Sequence, residues 1–216
     1  MSINKIIENL RKEYSAEILL EENAHCNPFV QFEKWMNEAI EAELFDPNAM
    51  TLSTATKEGK PSCRIVLLKG FDENGFTFFT NYNSRKGMQL IENPFASLNF
   101  FWHDLEKQIR IEGVVEKISE KLSDEYFSIR PRESQIGALA SDQSSKIASR
   151  EELENNVKQL KIEYDDKTIP RPKHWGGFIV KPNYFEFWQG RPSRLHDRLI
   201  YEKDNSGIWK IERLSP

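Results

Sequence analysis

Residues 50–80 read MTLSTATKEGKPSCRIVLLKGFDENGFTFFT. Three runs rich in β-branched and aromatic residues, MTLSTAT, SCRIVLLKGF and FTFFT, are separated by the turn sequences KEGK and DENG. This pattern predicts antiparallel strands joined by hairpins. Downstream, FASLNFFW and QIRIEGVVEKI read as two more strands. WGGFIVKP, YFEFWQ, RLHDRLIYEK and IWKIERL complete the sheet, the last pair joined by DNSG. Many such strands with a few interposed helices predict a mainly β (α+β) fold, an antiparallel barrel with peripheral helices.

The helices carry their own signals. Asn27-Pro28 predicts an N-cap followed by proline at the first helical position. Phe29, Phe32, Met36 and Ile40 follow at helical spacing, and Asp46-Pro47 marks the stop. A short helix from Ser84 to Asn93 is stopped by Pro94. Ser119 to Ile129 and Glu133 to Ala140 read as helices on either side of Pro131. Ser149 with Glu152 forms a capping-box pattern before Leu153, Val157, Leu160 and Tyr164. Residues 1–26 are polar and read as an arm, and residues 27–216 as one domain.

At 216 residues, with 38% hydrophobic and 12% aromatic content, the chain is long enough for a sizeable core. A net charge of −4 argues against general nucleic-acid binding, so local basic clusters point to small anions instead. No apolar run is long enough to span a membrane. MSINKIIENLRKEY lacks the apolar core of a secretory signal, and Cys26 and Cys63 form no framework, so a cytoplasmic protein with reduced thiols is expected. The four histidines show no metal-ligand spacing, and no metal site is expected. GxGxxG, GxxxxGK[ST] and GxSxG are all missing from the sequence.

Four clusters ask for anions. RIVLLK places Arg64 and Lys69 at the ends of an apolar strand, on opposite faces if the strand is regular. Taken alone, these read as two strand-end charges in solvent. SRKG puts Arg85 and Lys86 in a first helical turn, against the helix dipole, which a bound phosphate would reconcile. An exposed, slightly unfavourable helix start is the equal alternative. SIRPRESQIG gathers Arg130, Arg132, Ser134 and Gln135 around a proline break, with Tyr126 one turn before Arg130. In isolation a solvated helix end explains such a cluster more often. Finally, if Ser193 to Tyr201 is extended, Arg194, His196 and Arg198 share one face beside Trp188.

In order, RKEY, RIVLLKGF, FFTNYNSRKG, FFWHDLEKQIRIEG, YFSIRPRESQIGA, DQSS, WGGF, FWQG, RLHDR and WKIERLSP closely resemble the pyridoxine/pyridoxamine 5′-phosphate oxidase family. The resemblance runs from Arg11 to Pro216 and implies an FMN-dependent split β-barrel homodimer. It implies oxidation of pyridoxine 5′-phosphate or pyridoxamine 5′-phosphate to pyridoxal 5′-phosphate, with oxygen reduced to hydrogen peroxide. Carried over by motif, the FMN residues are Arg64, Ile65, Val66, Leu67, Leu68 and Lys69, with Phe79 and Thr80. Arg85, Lys86, Gln108, Gln143, Ser144, Trp188 and Arg198 complete that set. Lys69, Tyr126, Arg130 and Ser134 match the grip on the substrate phosphate. Arg194, Leu195 and His196 match residues near the substrate ring, and Asp46 an acidic residue near the reacting group. Arg11, Lys12, Glu13 and Tyr14 match an N-terminal segment that covers the substrate. Arg194, His196 and Asp46 are the implied catalytic residues.

Cys63 and Phe79 depart from the family's usual polar residue and tyrosine, and Arg191-Pro192-Ser193 fills a variable spacer. The alternative reading is a non-catalytic flavin-binding protein on the same barrel, which would not need the intact YFSIRPRES and RLHDR sets.

Overall fold

The computed structural model describes residues 3–10, 13–14 and 17–216 of the chain. In chain order its elements are α1 (Ile3–Asn9), α2 (Pro28–Glu41), β1 (Ala49–Ala55), β2 (Pro61–Leu67), β3 (Gly70–Asp72), β4 (Gly75–Asn81) and α3 (Arg85–Glu92). There follow β5 (Phe95–Trp102), β6 (Lys107–Lys117), α4 (Glu120–Ser128), α5 (Arg132–Ala140), α6 (Arg150–Glu163), β7 (Trp175–Gln189), β8 (Asp197–Lys203) and β9 (Trp209–Arg213). They form two compact units. The middle unit is Asn48–Leu98 with Glu112–Asn183; the terminal unit is Met1–Pro47, Asn99–Ile111 and Tyr184–Pro216.

Along the sheet the strand order is β2-β1-β5-β6-β7-β4-β3, with β8 also pairing β7. The KEGK hairpin forms as expected: β1 pairs with β2 from Ala49↔Leu67 to Ala55↔Pro61. Gly59 in that turn has φ 81°, a left-handed conformation that glycine adopts without a Cβ clash. SCRIVLLKGF, however, is not one strand. The N–H of Leu68 bonds back to Asn48, whereas that of Lys69 bonds to Thr77, so the backbone passes from β1 to β4 between them. At the DENG turn Gly75 has φ 145°, and a Cβ there would lie 2.1 Å from the Val180 carbonyl oxygen. Alanine cannot replace it without moving β4 from β7.

WGGFIVKP and YFEFWQ join into the single strand β7, which changes partner midway. Residues Trp175 to Val180 pair with β4, and Tyr184 to Gln189 pair with β8. Pro182 lies between the two stretches, where a ladder donor is not needed. In the terminal unit β9 pairs with β8 from Leu199↔Arg213 to Lys203↔Trp209.

The helix caps follow the sequence. Asn27, Ser84, Ser119 and Ser149 each accept a first-turn N–H. The Glu152 carboxylate takes the N–H of Ala148 rather than that of Ser149, so the capping box closes one residue early. Helix α2 ends at Glu41, before the expected Asp46-Pro47 stop, and Ile40 is exposed. Its inward face is Phe32, Trp35, Met36 and Ala39 instead.

The core of the middle unit includes Met50, Leu52, Phe76, Phe78 and Val180, with a second cluster of Phe127, Ile136, Ile169 and Trp175. The terminal unit buries Phe32, Phe100, Phe185, Phe187 and Tyr201. Among the described residues no helix is long and apolar enough to cross a membrane.

Candidate active site

A cavity of about 530 Å³ opens in the middle unit. On one side it is lined by Ile65, Val66, Leu67 and Lys69, from β2 and the two residues after it. Thr80 and Lys86 come from β4 and α3, and Gln143 from the loop after α5. Lys86 is 9% exposed, and its Nζ donates to Thr80 Oγ1 (2.9 Å), Gln143 Oε1 (3.2 Å) and Ser84 Oγ (3.4 Å). All three acceptors are neutral. Burial, and then the neighbouring charge of Arg64, pushes the Lys86 ammonium down to about 8. Arg64 is itself held by the Leu52 carbonyl, Thr54 Oγ1 and Ser62 Oγ, again without a carboxylate, and burial lowers its pKa.

The other side of the cavity is aromatic. Phe79 stacks on Tyr126 at 3.8 Å and on Trp175 at 5.5 Å, the rings nearly parallel. The Arg130 guanidinium lies 4.5 Å over the Trp175 ring. Its Nη1 is buried and has no hydrogen-bond partner among the described residues. Burial lowers the Arg130 pKa and raises that of Tyr126. Ser134, near the start of α5, completes this group. The other polar residues of SIRPRESQIG turn elsewhere: Arg132 donates to the Tyr164 and Lys167 carbonyls, and Gln135 caps the carbonyls of Phe127 and Ser128 at the end of α4.

The expected opposition of Arg64 and Lys69 does not arise, because β2 ends before Lys69. Lys69 lines the cavity; Arg64 does not, but it acts on Lys86 through its charge. Leu68 is buried away from it, Arg85 is exposed on α3, and Ser144 is exposed with φ 75°. Gln108, Trp188 and Arg198 belong to the terminal unit.

That unit has its own cavity, of about 760 Å³, lined by Glu13, Tyr14, Trp188, Arg191, Arg194 and His196 among others. Tyr14 meets Trp188 and His196 edge-on at 5.7 and 5.5 Å, and Trp188 lies 4.7 Å from His196. The backbone N–H of Arg191 donates to His196 Nδ1 at 3.1 Å. Nδ1 must therefore carry a lone pair, which places the proton of the neutral ring on Nε2. Burial and the charge of Arg194 hold the His196 pKa below its usual value.

The extended row expected from Ser193 to Tyr201 is replaced by a 3₁₀ turn over Pro192–Arg194, and β8 begins only at Asp197. Ser193 and Arg194 have φ 57° and 61°, so Arg194, His196 and Arg198 do not share a strand face. Pro192 supplies no N–H for a ladder, and the Arg191–His196 bond closes the loop instead. Arg198 is committed within the chain: Nε donates to Glu186 Oε1 at 2.9 Å and Nη1 to the Ser215 carbonyl. Glu186 is 2% exposed. Burial alone would raise its carboxyl, but the Arg198 hydrogen bond and the charge of Arg110 hold it below the usual carboxylate range. Leu195 and Asp46 are exposed; Asp46, with φ 48°, lines neither cavity. Arg11 and Lys12 lie outside the described residues.

Two participants were missed in the sequence. Trp175 walls the first cavity, although WGGF was read only as strand and motif. Glu186 organises Arg198 from the alternate position before Trp188; a carboxylate in the aromatic run YFEFW was the available signal.

An antiparallel sheet with peripheral helices around a cation-lined cavity defines a split-barrel protein of the flavin-binding class. Residues 36–163 match the family described as pyridoxamine 5′-phosphate oxidase, and residues 175–216 match the pyridoxine 5′-phosphate oxidase C-terminal dimerisation region. The chain belongs to the pyridoxamine 5′-phosphate oxidase family. It is 56% identical over 214 residues to the pyridoxine/pyridoxamine 5′-phosphate oxidase of Nostoc punctiforme, covering 99% of this chain and 100% of that protein. Its identity to the Bordetella pertussis protein of the same name is also 56%, over 97% and 99% of the two chains. PhzG from Burkholderia lata, solved in complex with tetrahydrophenazine-1-carboxylic acid, aligns with a TM-score of 0.88 at 31% identity, over 94% of this chain and 100% of that one. A pyridoxamine 5′-phosphate oxidase-related, FMN-binding protein from Nostoc punctiforme shares the fold, with a TM-score of 0.70 at 16% identity over 88% and 98%.

Proposed function

We propose that this protein is an FMN-dependent oxidase that converts pyridoxine 5′-phosphate or pyridoxamine 5′-phosphate to pyridoxal 5′-phosphate, with oxygen reduced to hydrogen peroxide. The observation that carries the reading is the middle cavity. It holds the buried Lys86, which donates to neutral groups, and a buried Arg130 nitrogen with no hydrogen-bond partner among the described residues, beside a wall of stacked rings. Such cations are costly until an anion joins them, so the residues fit phosphate monoesters of flat aromatic molecules. FMN, held by these residues, would supply the electron acceptor for a reaction whose terminal oxidant is oxygen.

The chain's own residues divide the remaining work. Lys86, Thr80, Arg64 and Arg85, with the N-terminus of α3, hold the cofactor phosphate. Residues 65–68 support its ring system, and Gln108, Gln143, Ser144, Trp188 and Arg198 make further cofactor contacts. Lys69, Tyr126, Arg130 and Ser134 hold the substrate phosphate. Arg194 orients the reacting alcohol or amine. His196, with Nδ1 already engaged by Arg191, offers Nε2–H as a hydrogen-bond donor to the same group. Asp46 supports the reacting group electrostatically, and Tyr14 and the rest of the arm cover the substrate and exclude water.

The protein acts as a cytoplasmic homodimer in this reading, with its flavin at the subunit interface; neither membrane nor nucleic acid takes part. The deciding experiment is the visible spectrum of the purified protein before and after anaerobic addition of pyridoxine 5′-phosphate. A yellow protein that releases FMN on denaturation and bleaches with the substrate is expected. A colourless protein that takes up no FMN, or a flavoprotein that does not bleach, would overturn the proposal.

A further inference from the structure

We infer that Arg213, on β9, is a positioning residue: it clasps the N-terminal arm and so holds Tyr14 against Trp188 and His196. Its guanidinium binds three things at once. Nε and Nη2 donate to the two carboxylate oxygens of Glu21, each at 2.8 Å. Nη2 also donates to the Leu19 carbonyl at 2.8 Å, and Nη1 donates to Asp197 Oδ1 at 2.7 Å. The other oxygen of Asp197 accepts the N–H of Leu19 at 3.1 Å. Both backbone polar groups of Leu19 are thus met by the two halves of one ion pair, and its side chain is 7% exposed. The bidentate contact is what guanidinium geometry supplies and an ammonium does not. Glu21 responds accordingly: the Arg213 hydrogen bond is the largest influence lowering its carboxyl to about 2.

The clasp adjoins the terminal cavity along the chain on both sides. Tyr14 precedes Leu19 by five residues, and Asp197 directly follows His196. Tyr14 is seated closely, since a Cβ on Gly190 would lie 2.8 Å from its ring. A second tether, from Tyr201 to the His25 carbonyl, holds the chain after Glu21. Loss of Arg213 therefore releases the segment before Glu21 and leaves α2 and the strands in place.

The inference rests on the proposed role of the arm in covering the substrate, and its test reads the clasp separately from turnover. Hydrogen exchange of the holoprotein is measured for the wild type, Arg213→Gln, Arg213→Lys and Glu21→Gln, beside kcat and KM for pyridoxine 5′-phosphate. In Arg213→Gln, exchange across residues 13–23 rises at least tenfold while residues 185–187 and 199–201 keep their protection. KM rises about tenfold with kcat within twofold, the signature of lost uniform binding. Glu21→Gln shifts both readouts in the same direction by less, and it leaves the Arg213–Asp197 pair intact should Arg213→Gln fold poorly. Arg213→Lys restores neither, because one ammonium cannot span three acceptors. Unchanged exchange in the arm, or faster exchange with an unchanged KM, would overturn the inference. A wild-type protein without oxidase activity would instead overturn the functional reading, and the exchange data would still decide whether the clasp exists.

Discussion

Two groups of cations in this molecule are treated in opposite ways, one in and beside the middle cavity and one in the terminal unit. In the middle unit the buried Lys86 and the half-buried Arg64 meet hydroxyls, a carbonyl and an amide, and one buried Arg130 nitrogen has no hydrogen-bond partner among the described residues. Their pKa values are all pushed down by burial. In the terminal unit Arg198 and Arg213 are engaged by the carboxylates of Glu186, Glu21 and Asp197, and both pKa values are raised, chiefly by the hydrogen bonds they donate to those carboxylates. In the proposed function the first set receives an anion, whereas the second already has its carboxylates. Arginine count alone does not separate a binding site from a structural network, but the identity of the partners does.

The largest expected effect tests the first set. Lys86→Met should weaken FMN binding by about 30–100-fold, the loss of one charge-assisted contact of about 2–3 kcal/mol. The thermal midpoint of the apoprotein should hold or rise, because a desolvated cation has been removed. Titration of apoprotein with FMN and a melting curve check both halves, and a lower midpoint with normal flavin affinity would break the contrast. Next, Arg130→Met should weaken pyridoxine 5′-phosphate binding by about 10–30-fold with flavin content unchanged. Lys69→Met, at an exposed position, should act in the same direction by about 3–10-fold. Loss of flavin in either variant would merge the two phosphate roles separated above.

In the terminal cavity, Arg194→Met should retain FMN and slow anaerobic flavin reduction by about tenfold, or 1.4 kcal/mol. Stopped-flow bleaching at wild-type rates would remove that arginine from the reaction. A pH series sharpens the comparison further. The free protein holds Lys86 at about 8, and a bound phosphate favours its charged form. FMN binding therefore takes up a proton above pH 8, so affinity should be level between about pH 7 and 8 and fall by at most tenfold per unit above that. An arginine at position 86 should abolish the fall. The smallest expected effect is His196→Asn, about threefold on the bleaching rate, since asparagine keeps some hydrogen-bonding capacity.

Much of this was legible in one chain. The caps expected at Asn27 and Ser149 follow from local backbone chemistry and form there, and Ser84 and Ser119 cap the helices whose starts the sequence marked at those residues. The hairpin around KEGK was equally local. The readings that failed all depended on something distant. SCRIVLLKGF breaks because β1 and β4 compete for adjacent N–H groups, and β7 stays continuous because two different strands take its two halves. Arg194, Leu195 and His196 of RLHDR leave the strand, where a proline and the His196 ring nitrogen close a loop before β8. Of the implied site residues, the cavity of the middle unit gathers those drawn from RIVLLK, FFT, SRKG and YFSIRPRES except Arg64, Leu68 and Arg85; Asp46 joins neither cavity.

The sequence by itself determined the β-rich runs, the helix starts at Asn27, Ser84, Ser119 and Ser149, the family, and the kinds of charged and aromatic side chains available for binding phosphate and flat rings. Those properties reside in neighbouring residues, whose spacing sets which groups share a turn or a face. Only the tertiary structure decided which cations already have a carboxylate. Arg198 finds Glu186 twelve positions away and Arg213 finds Glu21 across 192. Lys86 meets Gln143, 57 positions on, and gains only a neutral acceptor. Ion pairing depends on distance and desolvation in the folded chain, and separation along the sequence carries neither.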